Sequence, residues 1–111
     1  MAHRRVIQTY YSDINNLADI LTKLVGAYRL LIGGADELNK IALSKKSDVK
    51  DALKRADNLG DIIDETIKVL DAASYSYMSY CTMKTEIMKC KIQIEMVSFL
   101  EDDKRRKNFL L

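Results

Sequence analysis

Apolar residues recur at every third or fourth position over most of this chain. Ile14, Leu17, Leu21, Leu24, Tyr28 and Leu31 form one stripe, widened by Ala18 and Val25. Steps of three and four keep side chains on one side of a helix. The spacing predicts a first helix over about 12–32, with Ser12 as its N-cap and Asp13 in its first turn. Gly33-Gly34 would close it. The preceding run, Val6-Ile7-Gln8-Thr9-Tyr10-Tyr11, holds β-prone residues and reads as a lead-in or a first helical turn. Asp36 can cap a short helix through Leu43, with Leu38, Ile41 and Ala42 facing in. Ser44-Lys45-Lys46-Ser47 then reads as a loop, with Ser47 as the next N-cap and Asp48 behind it.

From 48 to 101 the rhythm continues with one glycine, Gly60, and no proline. Ala52, Ala56, Leu59, Ile63, Thr66, Leu70, Ala73, Tyr77 and Tyr80 alternate steps of four and three, which is coiled-coil-like spacing. Leu53, Ile62, Ile67, Cys81, Ile87 and Ile94 widen the face to a width that suits a bundle core. Unbroken, this helix would run about 80 Å, more than the rest of the chain could cover. It must break or find a partner chain. Gly60 followed by Asp61 offers a helix end and a new cap at 58–61. The weak helix formers around Ala73-Ser74-Tyr75-Ser76 offer a break at 72–76, which would leave helices of matched length. The Ser/Tyr alternation there also resembles a short strand, but no second strand stands ready to pair with it.

The expected fold is all-α: one domain over 1–111, a small bundle of three to five helices with a long C-terminal helix or helix pair. Residues 1–11 and 102–111 would be flexible or peripheral. Composition agrees. At 111 residues with 48% hydrophobic and 31% charged residues the chain can bury a modest core. The formal charge of +2 implies no polyanionic partner by itself. No apolar stretch follows the basic start, so neither a signal peptide nor a membrane span is expected. Cys81 and Cys90, nine apart, would face opposite sides of a helix as buried thiols, which suits a reducing cytoplasm.

Candidate chemistry is sparse. Asp57, Asp61, Asp64, Glu65 and Asp71 form an acidic row that reads as a solvated face. Tyr75, Tyr77 and Tyr80 form an aromatic patch, with Tyr77 and Tyr80 on one face, suited to core packing, base stacking or an interface. Arg4, Arg5, Lys104, Arg105, Arg106 and Lys107 are basic ends that could attract phosphates. The single histidine, His3, supports no catalytic set. Asp36-Glu37-Leu38-Asn39-Lys40, with Asn58-Leu59-Gly60-Asp61 later, resembles the helical nucleotide pyrophosphohydrolases. Those enzymes hold Mg²⁺ with EExxE and ExxD motifs. The resemblance implies Asp36, Glu37 and Asp61 as ligands. Lys40 and Asn58 stand where two further acids belong, which leaves too little negative charge for the metal.

The last helix carries a second apolar set. Met78, Met83, Met88 and Met96 spread around the helix, with Met78, Met88 and Met96 off the principal stripe and Ile92 and Phe99 lying round the helix beside them; a helix apolar on more than one face is buried on more than one side. The functional expectation is therefore a non-enzymatic helical interaction module: a small adaptor, inhibitor or regulator. It would act by homo-oligomerisation or by binding a partner protein through those six residues, without cofactor or metal. A small nucleic-acid-binding protein using the basic ends is the alternative, and a Mg²⁺-dependent pyrophosphohydrolase-like enzyme comes third.

Overall fold

The computed structural model describes residues 2–41 and 45–110, with side chains over 12–41, at 45 and over 47–107. The described residues form three helices and no strand: α1 (Ala2–Lys40), α2 (Lys46–Ala72) and α3 (Met78–Leu110). Successive helices run antiparallel in a rod of 74 × 20 × 16 Å. α1 is the spine, packing more extensively on α2 and on α3 than those two pack on each other. Among the described residues no helix is long and apolar enough to cross a membrane.

Buried positions follow the three/four rhythm in all three helices. In α1 they are Ala18, Leu21, Val25, Tyr28, Ile32, Ala35 and Asn39; in α2 Val49, Ala56, Ile63, Thr66 and Leu70; in α3 Tyr80, Ile87, Cys90, Val97 and Glu101. Ile14, Leu17, Leu24, Leu31, Leu59, Ile67 and Ile94 are half-buried against this core. A smaller cluster of Ala35, Val49 and Val97 closes the far end beside Leu38, Ala52 and Leu53. Ile62 and Cys81, expected to widen the core face, are exposed instead.

Three expected boundaries are corrected. α1 neither starts at Ser12 nor stops at Gly33-Gly34. It begins at Ala2 and runs to Lys40, both glycines carry ordinary negative φ, and no separate helix starts at Asp36. Each glycine costs about 1 kcal/mol inside a helix, but Ile32 and Ala35 on either side are completely buried, and their packing carries the helix through. α2 begins one residue before Ser47, with Lys45 in extended conformation as N-cap and no side-chain capping bond. Asp48 does sit in its first turn. Of the residues expected to face in here, Leu38 packs on the core, Ile41 follows the last helical residue and is exposed, and Ala42, like Leu43 and Ser44, lies outside the described residues.

The long stretch breaks at the second of its two sites. α2 ends at Ala72 in a hydrogen-bonded C-cap: the Tyr75 N–H donates to the Leu70 carbonyl and the Ser74 N–H to the Asp71 carbonyl, both at 3.0 Å. Ser74 takes the left-handed conformation, φ 56°, that such a cap requires. Gly60 lies mid-helix and buried.

Candidate functional site

α3 has two apolar faces. The inner one steps through Tyr80, Met83, Ile87, Cys90, Ile94, Val97 and Glu101 and packs on α1 and α2. At 100° per residue the outer one lies almost diametrically opposite, with Met78, Met88, Ile92, Met96 and Phe99 within about 80° of one another. All five are open to solvent, at 80%, 65%, 57%, 58% and 69% exposure. Leu100 lies beside them and is also exposed. The stripe spans residues 78–99, about 32 Å of helix.

Met83 does not belong to it. Three residues after Tyr80 and four before Ile87, it is half-buried against the core, where its Sδ accepts a hydrogen bond from Thr22 Oγ1 at 3.2 Å. Cys81, expected on the core face, lies on the outer face instead. Its thiol is exposed, while that of Cys90 is buried and pushed up, chiefly by desolvation. The two cysteines do face opposite ways, but only Cys90 is the buried thiol expected.

Tyr77 and Tyr80 share no face. Tyr77 sits exposed in the turn, before the helix begins, and Tyr80 is buried inside it. Tyr75 bridges them, with ring centroids 5.0 Å from Tyr77 and 5.4 Å from Tyr80. The Tyr80 hydroxyl donates to Asp71 Oδ1 at 2.7 Å, and Lys84 Nζ donates to the same oxygen at 3.2 Å. These two bonds hold the Asp71 carboxyl below its ordinary range.

The basic ends do not converge. Lys104 packs beside the C-terminus of α1, whereas Arg4 and Arg5 lie in its first turns, about 50 Å away along the helix. The side chains of Arg4 and Arg5 are outside the described ones. Lys104 Nζ donates to the carbonyls of Asn39 (3.1 Å) and Ile41 (2.9 Å), closing the end of α1. Arg105 binds the buried Glu101 at 2.6 Å; Arg106 and Lys107 both bind Asp103, at 3.3 and 3.0 Å. The four cations expected to seek phosphate are thus engaged by their own chain.

The acidic row is largely internal wiring as well. Lys91 Nζ donates to both Asp64 carboxylate oxygens at 2.7 and 3.0 Å, and Lys68 pairs with Glu65 at 2.9 Å. Asp36 and Glu37 pair with Lys40 at the end of α1. Asp61 lies beside Gly60, at the level of Tyr28, about 12 Å back along the axis from Asp36. The structure therefore does not bring together the residues that the pyrophosphohydrolase resemblance pairs. Among the described residues no three His, Cys, Asp or Glu side chains are grouped to hold a metal. Asp57, Asp61 and Glu95 instead line a groove of about 450 Å³ with Tyr28, Gly60, Lys91 and Ile94, an arrangement that the spacing along either helix alone could not reveal.

Neither a scan of protein-family models nor searches of characterised proteins and of solved structures return a match to this chain.

Proposed function

We propose that this protein is a non-enzymatic helical interaction module, an adaptor, inhibitor or regulator, that associates with itself or with a partner protein through the outer face of α3. The observation that supports this reading is the pair of opposed apolar faces on one helix, only one of them covered by the bundle. Water around Met78, Met88, Ile92, Met96 and Phe99 forgoes roughly 1.5–3 kcal/mol for each side chain that a partner could fully bury. Contiguous patches of this kind mark interfaces more often than scattered exposed residues do. Methionine, unbranched and polarizable, adapts its shape to what it packs on. Cys81 and Leu100 extend the surface, and Met83 leaves it. Self-association, with the stripes of two copies packed in coiled-coil fashion, is its simplest form.

Sedimentation velocity at micromolar concentration tests the proposal. The wild-type chain should sediment as a dimer or larger species, or as a complex with its partner. Ile92→Glu combined with Met96→Glu should abolish the association and leave the circular dichroism spectrum unchanged, since both side chains point away from the core. A strictly monomeric wild type whose double variant unfolds would show that the stripe is structural.

A further inference from the structure

We propose that the groove between α2 and α3, floored by Tyr28 and Gly60, binds a linear diamine or polyamine through Asp57, Asp61 and Glu95. The bond from Lys91 to Asp64 marks the register of the two antiparallel helices. Three residues back along α2 and four residues on along α3, it places Asp61 opposite Glu95. Asp57 lies one turn from Asp61 on the same helix. Neighbouring acids are satisfied within the chain: Asp64 by Lys91, Glu65 by Lys68, Asp71 by Lys84 and Glu86 by Arg29. Among the described residues Asp57, Asp61 and Glu95 form no ion pair. Lys91, the one cation among the described residues that line the groove, is already held by Asp64. Like charges one turn apart repel, so the groove carries an unbalanced negative field in a chain whose formal charge is +2.

Tyr28 is 1% exposed, yet its hydroxyl makes no hydrogen bond to a described residue and faces the groove. Its position is tight: a Cβ on Gly60 would lie 3.1 Å from the Tyr28 oxygen. Burial, then Cys90 and the carboxylates around it, pushes the Tyr28 pKa up to about 12; the neutral hydroxyl keeps the oxygen lone pairs with which to accept an N–H bond.

The ligand class follows from spacing and lining. No three of these carboxylates gather to hold a metal ion. Side chains one helical turn apart are separated by about 5–6 Å, a distance that a short diaminoalkane spans between its ammonium groups. Ile94, half-buried in the groove wall, offers apolar surface to the methylenes between them. The groove lies beside the outer stripe of α3 and uses neither Ile92 nor Met96, so it stands or falls separately from that surface.

The test is titration of the ¹⁵N-labelled full chain with spermidine, with Mg²⁺ and NaCl at matched ionic strength as comparisons. Spermidine should produce saturable amide shifts concentrated at Gly60, its α2 neighbours and residues 94–95, with Mg²⁺ and NaCl producing none of that pattern. Asp61→Asn combined with Glu95→Gln changes two exposed side chains and should weaken binding by about tenfold or more with the helical spectrum intact. Tyr28→Phe should weaken it severalfold. Shifts spread over every acidic segment, equal shifts with Mg²⁺ or NaCl, or unchanged affinity in the Asp61/Glu95 double variant would overturn the proposal.

Discussion

Gly60 is a residue whose role depends on its neighbour across the bundle. By itself it looks like a helix end, and the apolar rhythm running through it says otherwise. What settles its role is the Tyr28 hydroxyl lying over it, 3.1 Å from where a Cβ would sit. The Tyr28 ring is packed in the core, so its oxygen can give way only by shifting a buried ring. Gly60→Ala should therefore lose about 0.5–1 kcal/mol despite alanine's better helix propensity. With Tyr28→Phe the nearest remaining ring atom is at 3.4 Å, an ordinary contact. The same Gly60→Ala change should then gain up to about 1 kcal/mol. Denaturant unfolding of the four variants measures this reversal as a coupling energy; equal effects in both backgrounds would show the contact to be irrelevant. Ser74 poses the opposite case. It holds φ 56° where glycine would be unstrained. Ser74→Gly should raise stability by about 0.5–1 kcal/mol, or about 3–5 °C in melting temperature, by calorimetry.

At the scale of elements, the legible parts of the fold were those set by periodicity. Ile14 through Leu31 and Ala52 through Leu70 predict buried faces that the bundle uses. The illegible parts were ends, because capping signals are local and weak beside packing. Ser12, Asp36 and Ser47 all look like N-caps, and none of them starts a helix here. Gly33-Gly34 looks like a terminus, yet Ile32 and Ala35 carry the helix past it. Likewise the outer stripe of α3 could be read from spacing, except for Met83, whereas the groove at Tyr28 needed the register of two helices. The α2–α3 connection is held by Tyr80 and Lys84 on Asp71. Since folding lowers the Asp71 pKa, its contribution is present above the ordinary carboxylate range, near pH 4, and is lost as pH falls through the depressed value. Melting temperature should fall as pH drops below about 4. Tyr80→Phe should cost about 1 kcal/mol at neutral pH and flatten that acid slope. An unchanged slope would assign the acid sensitivity to other carboxylates, such as Glu86 and Asp103.

The whole molecule is a rod around α1, and its third helix could in principle dock either way round. Hydrophobic burial is non-directional, so Met88, Ile92 and Phe99 could serve a core about as readily as Ile87, Cys90 and Val97. Charge breaks the tie. Glu86 flanks the inner face on the side of α1 and meets Arg29 at 2.6 Å; Lys84 and Lys91 flank it on the side of α2 and meet Asp71 and Asp64. Turning α3 half a revolution about its axis would exchange the flanks, setting Glu86 against the acids of α2 and the two lysines against Arg29. Exposed ion pairs of this kind add little to stability. Here they act as a key, admitting the helix in one rotational state and keeping its methionine side turned outward.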